Sequence, residues 1–127
     1  MSTILVVDDD DQVRNLLRRI LQKEGHEVRE ATDGQAAIDA CRSKCPDLLI
    51  MDLVMPGKEG LETIQEIRQT HPAQKILAIS GGGAGRSQSY LQLAKKLGAS
   101  QALAKPFGVA DLIKAVKQLL ADGGGDA

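Results

Sequence analysis

Aromatic residues are almost missing from this chain: in 127 residues there is no tryptophan, one tyrosine (Tyr90) and one phenylalanine (Phe107). A core built without rings must be aliphatic, and a hydrophobic content of 43%, carried by Leu, Ile, Val and Ala, suffices for one. The same scarcity removes the stacking platforms that hold single-stranded nucleic acid. Charge of one sign is also lacking. Sixteen basic against seventeen acidic residues leave a net charge of -1, which argues against a strongly basic nucleic-acid surface. No apolar run approaches the roughly 20 residues of a membrane span. Residues 1–3 lead directly into a strand pattern, without the features of a signal peptide. The expectation is a cytoplasmic protein with neither membrane nor nucleic acid as partner.

Cysteine is scarce too. Cys41 and Cys45 lie four apart on a predicted helix. No second Cys/His pair completes a zinc site, so they read as two small helix residues in a reducing compartment; a metal or redox pair is the alternative. The length suits one domain with a proper core.

What is present is an alternation of strand and helix signals, five times over. Short apolar runs at 4–7, 48–51, 76–79 and 101–104 read as strands, and the weakly alternating 27–31 as an edge strand. Between them, Val13, Leu16, Leu17, Ile20 and Leu21 recur at helical spacing, with Gly25 where a C-cap glycine belongs. Asp33-Gly34 opens an Ala-rich helix to about Lys44. Leu61, Ile64 and Ile67 mark the next, ended by His71-Pro72. Tyr90, Leu93, Ala94 and Leu97 mark another, ended by Gly98, and Leu112, Ile113, Val116, Leu119 and Leu120 the last. Residues 122–127, with three glycines, are expected to be a frayed, flexible tail, and 81–85 (Gly-Gly-Gly-Ala-Gly) a mobile loop. No repeat or second domain is evident. Five β-α units with short links predict an α/β fold: a five-stranded parallel sheet of order 2-1-3-4-5, doubly wound and flavodoxin-like, with helices on both faces.

Polar groups end four of these runs. Asp8 and Asp9 follow Ile4–Val7, Asp52 follows Leu48–Met51, Ser80 follows Ile76–Ile79, and Lys105 follows Ala102–Ala104. In open α/β sheets the site lies beyond the carboxyl ends of the strands, at the switch point, here between the first and third strands. Each residue alone has a plainer reading. Asp10 or Asp11 serves as a helix N-cap, Asp52 as a turn starter, Ser80 as a loop serine, and Lys105 as a surface lysine. Converging, they suit a hard divalent cation, which wants carboxylate oxygens, and a phosphoryl group. A carboxylate beside a metal can act as a nucleophile. A cis Lys105-Pro106 bond would aim the lysine inward.

The stretches Ile4-Leu5-Val6-Val7-Asp8-Asp9, Met51-Asp52-Leu53-Val54-Met55-Pro56-Gly57, Ala78-Ile79-Ser80-Gly81, Gly98-Ala99-Ser100 and Lys105-Pro106-Phe107 together resemble the receiver domain of two-component response regulators. The resemblance covers residues 3 to about 121 and implies the following roles. Asp52 matches the phosphoacceptor. Asp9 matches the direct Mg²⁺ ligand, Asp8 its acidic neighbour acting largely through water, and the backbone carbonyl of Val54 a further ligand. Ser80 matches the switch hydroxyl, and Lys105 the cation that pairs with the phosphoryl group. The implied reaction is in-line transfer from a phosphohistidine, on a sensor histidine kinase or histidine phosphotransfer protein, to Asp52. The protein would be a signalling phosphoacceptor that assists its own phosphorylation and dephosphorylation, not an enzyme acting on others. It would act by phosphorylation-dependent binding of a target or by shuttling phosphate, as a monomer or weak phosphorylation-dependent dimer. Met1 and the glycine-rich tail favour a complete single-domain protein over a fragment.

Three rival readings fit less well. Residues 80–87 miss the P-loop pattern of a nucleotide binder at two places, Ser80 for the first Gly and Arg86 for Lys. A flavin binder would want hydroxyls and amides after the first strand, not Asp8-Asp9. An Mg²⁺-dependent phosphatase would carry its nucleophile there and usually a cap domain.

The chain also departs from the family pattern. Ala102 stands where an aromatic switch residue is usual, three before the lysine, so the face around 86–115 must signal differently or signal little. Val54 and Gly82 stand two after Asp52 and Ser80, where polar side chains help orient the attacking water. Self-dephosphorylation is therefore expected to be slow. A decay assay of the phosphorylated protein should give a longer half-life than in members with polar groups there, and an equal or shorter one would contradict it.

Overall fold

The alternating pattern becomes five β-α units. The computed structural model describes residues 2–53, 60–80 and 86–124, and for 86–91 and 122–124 the backbone alone. In chain order these are β1 (Thr3–Val7), α1 (Asp11–Lys23), β2 (Glu27–Ala31), α2 (Gly34–Ser43), β3 (Leu48–Asp52), α3 (Gly60–Thr70), β4 (Ile76–Ser80), α4 (Arg86–Leu97), β5 (Gln101–Ala104) and α5 (Val109–Gly124). The strands form one sheet, β2-β1-β3-β4-β5, and every pair is parallel. This is the expected order, with the weak second strand at an edge.

Strand side chains point alternately to the two faces, and each face has its own cluster. Leu5, Val7, Leu49, Met51 and Ala78 meet Ala37, Ile38 and Cys41 of α2, Ile64 and Ile67 of α3 and Ala94 of α4. Ile4, Val6, Leu48, Ile50, Leu77 and Ile79 meet Leu17 and Leu21 of α1 and Leu112, Ala115, Val116 and Leu119 of α5. The largest fully buried side chains are all Ile, Leu or Met, so the aliphatic core expected from the composition is present. Each such side chain contributes about 1.5–3 kcal/mol by leaving water.

Local chemistry sets the helix ends. Asp10 caps α1, its carboxylate accepting from the N–H of Gln12 and Val13, and Asp33 caps α2 by accepting from Ala36. Gly25 (φ +94°) and Gly98 (φ +129°) take the left-handed conformation just after α1 and α4.

Two details of the helices go beyond the linear pattern. Leu16 follows the helical spacing of α1 but is 56% exposed, while Leu17 and Leu21 are buried. The sheet-facing stripe is centred on those two, and Leu16 is rotated to its margin; Leu93 of α4 is likewise exposed. At the other end, α5 continues to Gly124, three residues into the stretch 122–127 expected as a tail. Residues 125–127, the glycine-rich stretch 81–85 and the side chain of Tyr90 lie outside the described residues. Among the described residues no helix is long and apolar enough to cross a membrane.

The two cysteines are free thiols. Cys41, on the buried side of α2, is packed into the core, and burial pushes its pKa up to about 11. Cys45 is exposed, its thiol 3.4 Å from the Cys41 carbonyl oxygen. Since the thiolate is the reactive form, maleimide at neutral pH should modify Cys45 and leave Cys41 untouched. Intact mass should show one adduct, and none in Cys45→Ser; rapid double labelling of the folded protein would contradict the packing.

Candidate functional site

Strand register assembles the site. Val7 of β1 pairs with Met51 of β3, so Asp8 and Asp52, each one residue further, emerge side by side. Asp52 pairs with Ile79, and Ser80 is one residue beyond it. Ser80 in turn pairs with Ala104 of β5, and Lys105 is one residue beyond that. Four adjacent strands thus deliver their polar groups at one end of the sheet, at the switch point.

Asp8, Asp9 and Asp52 each place a carboxylate oxygen within 4.8 Å of the others. Asp8 (2% exposed) and Asp52 (7%) are buried, and Asp9 is exposed. Three like charges at that separation repel, and burial strengthens the repulsion. An all-oxygen donor set of this kind fits a hard cation such as Mg²⁺. Lys105 opposes the repulsion from β5: its Nζ lies 3.4 Å from Asp8 Oδ2 and 3.8 Å from Asp52 Oδ2. The Lys105-Pro106 bond is cis.

Asp8 is held at every polar atom. Its N–H donates to the Ala31 carbonyl at 3.2 Å. Its Oδ1 accepts from the Asp10 N–H at 2.9 Å, its Oδ2 from Lys105, and its main-chain carbonyl from Arg14 Nη1 at 2.9 Å. Nothing in the strand-end pattern singled out Arg14; its position one turn into α1 was the only available signal. Arg14 also reaches Glu30 at 3.0 Å and Asp11 at 2.5 Å. The Asp11 hydrogen bond is the main cause that raises its pKa above the ordinary arginine value.

Ser80 is fully buried, and its hydroxyl has no hydrogen-bond partner among the described residues. A buried hydroxyl left unpaired costs free energy, and nothing among the described residues meets that demand. Val54, expected to offer its carbonyl, lies outside the described residues. Ala102 is half-buried and packed against the cluster that contains Ala94 and Ala99. An open groove of about 790 Å³ lies at the opposite end of the sheet, between Cys45, Pro46, Pro72, Lys75 and Leu120, and shares no residue with the carboxylates.

The chain is similar to known proteins over most of its length. The family described as "Response regulator receiver domain" matches residues 4–117. "Transcriptional regulatory protein CpxR" of Klebsiella pneumoniae is 38% identical over 94% of this chain and 50% of its own length. The chain thus spans about half the length of this and several other curated relatives. "Sporulation initiation phosphotransferase F" of Bacillus subtilis is 32% identical over 92% of both chains. Among solved structures, response regulator protein TrrA of Thermotoga maritima in complex with Mg(2+)-BeF superposes with a TM-score of 0.83. It is 36% identical over 94% of this chain and 99% of that one.

Gly60, at the start of α3, lies against the backbone that carries Asp52. A Cβ there would sit 2.5 Å from Leu53 Cα and 2.6 Å from the Asp52 carbonyl oxygen. Neither is a flexible side-chain end, so Gly60→Ala should cost about 1–3 kcal/mol by overpacking. Urea denaturation measures this, and a wild-type midpoint would contradict the close approach.

Proposed function

The chain belongs to the response regulator receiver domain family, and on that premise we propose that Asp52 is its phosphoacceptor, with Lys105 and Ser80 as the groups that engage the transferred phosphoryl. The observation that carries this reading is the convergence of Asp8, Asp9 and Asp52 within 4.8 Å, faced by the Lys105 ammonium.

In this reading an oxygen of the Asp52 carboxylate attacks the phosphorus of a phosphohistidine. An O–P bond forms in line as the P–N bond breaks, and the imidazole leaves with the electron pair. Such transfer is mostly positioning and charge stabilisation. Asp8, Asp9 and Asp52 would hold a divalent cation, Mg²⁺, which when bound supplies neutralisation of the phosphoryl oxygens. Val54 is proposed to add its carbonyl. Lys105, poised between Asp8 and Asp52, exchanges a carboxylate for a phosphoryl oxygen as partner. Ser80 turns its unpaired hydroxyl to donate to another, which meets the demand left by its burial.

The proposed donor is a sensor histidine kinase or histidine phosphotransfer protein in the cytoplasm. The protein acts as a signalling phosphoacceptor that assists its own turnover, as a monomer or weak phosphorylation-dependent dimer. Ala102 favours phosphate shuttling over readout by an aromatic switch at that position. A relative named a phosphotransferase, aligned over 92% of both chains, supports the same choice. The Mg(2+)-BeF complex of a 36% identical receiver supports the cation.

Acetyl phosphate with Mg²⁺, read by intact mass, tests the assignment. Wild type should gain one phosphate and Asp52→Asn none. Lys105→Met should react about 10²-fold more slowly, the loss typical of removing a charge-stabilising donor. Unchanged phosphorylation of Asp52→Asn would sink the assignment.

A further inference from the structure

Arg14 is 14% exposed in its side chain, and its guanidinium joins three elements around the acidic site. Nη1 donates to the Asp8 carbonyl at 2.9 Å, Nε to Glu30 of β2, and Nη2 to Asp11 at the start of α1. The Asp8 carbonyl belongs to the peptide that leads into Asp9, the exposed member of the carboxylate group. The Asp8 N–H and both its carboxylate oxygens are already engaged by Ala31, Asp10 and Lys105. The Arg14 bond therefore completes the restraint on the turn that presents Asp8 and Asp9. The two acidic partners of Arg14 offset its charge, so an arginine can stand beside a cation site without strongly opposing it.

We propose that Arg14 is a positioning residue for cation binding: by holding the Asp8 carbonyl it orients the peptide that presents Asp9, and so sets the affinity of the site for Mg²⁺. The inference rests on the reading that Asp8, Asp9 and Asp52 hold the cation, and it concerns a residue that touches neither cation nor phosphoryl group. Partners that orient metal ligands typically matter by 10–100-fold in affinity; one main-chain contact belongs near the lower end.

The sign of the effect separates positioning from simple electrostatics. Removing a nearby positive charge should tighten Mg²⁺ binding by Coulomb's law. Loss of positioning should weaken it. A charge-matched control exists one turn along α1: Arg18 also pairs with Glu30, at 3.3 Å, and also bonds to a residue of its own helix, Asn15.

The experiment is an Mg²⁺ titration followed by backbone amide NMR of the full chain. For Arg14→Met the midpoint should rise about tenfold, and phosphorylation by acetyl phosphate should return to within about twofold of wild type at saturating Mg²⁺. Arg18→Met should leave the midpoint unchanged or lower. Should Arg14→Met fail to fold, Arg14→Lys decides by the same measure, because one ammonium cannot span Asp8, Asp11 and Glu30 together. A wild-type or lower midpoint in the deciding variant, or an equal rise in Arg18→Met, overturns the role of Arg14. A wild type with no Mg²⁺-dependent shift overturns the cation reading itself and the inference with it.

Discussion

Everything at the functional end of this molecule depends on keeping carboxylates together that would rather be apart. Asp8 and Asp52 are buried, and with Asp9 they fall within 4.8 Å. Free chains relieve such repulsion by moving apart; this one is prevented by the sheet. The pairing of Val7 with Met51, and the packing of β1 and β3 on both faces, leave the strand ends no freedom to separate. The stability of the aliphatic core in this sense offsets an unfavourable electrostatic arrangement, the one that a cation would relieve in the proposed reading.

The groups around the carboxylates divide the work of holding them. Lys105 answers from β5 with charge, and lies nearer to Asp8 than to Asp52. Arg14 answers from α1 by grasping main chain rather than carboxylate. Ser80 answers with nothing among the described residues, its buried hydroxyl unpaired. An Asp8 engaged at every polar atom on one side, and on the other a buried hydroxyl with no partner among the described residues, fit the proposed transfer.

The helical layer beside β5 fits a reduced role for aromatic switching. Ala94, Ala99 and Ala102 share one cluster there. Among the described residues, small side chains and Leu97 bring α4 and β5 together.

Much of this was legible from the sequence, for identifiable reasons. Buried parallel strands must be short apolar runs, so their ends, and the polar residues at those ends, can be read directly. The strand-end positions of Asp8, Asp9, Asp52, Ser80 and Lys105 were read in that way, and Asp33, Gly25 and Gly98 from helix-end signals, while the pattern left the cap of α1 open between Asp10 and Asp11. Other features required the tertiary structure. Periodicity places Leu16 among apolar positions, yet which side of the stripe faces the sheet is set by how α1 docks, and Leu16 is left in solvent. Arg14 looks like any charged helix residue until β2 brings Glu30 beside it and β1 presents the Asp8 carbonyl. The hydrogen-bonding deficit of Ser80 depends on the surroundings of its hydroxyl, which no linear pattern records. Local pattern determined which groups are at the strand ends; the three-dimensional packing decided which of them are held, which are opposed and which are left waiting.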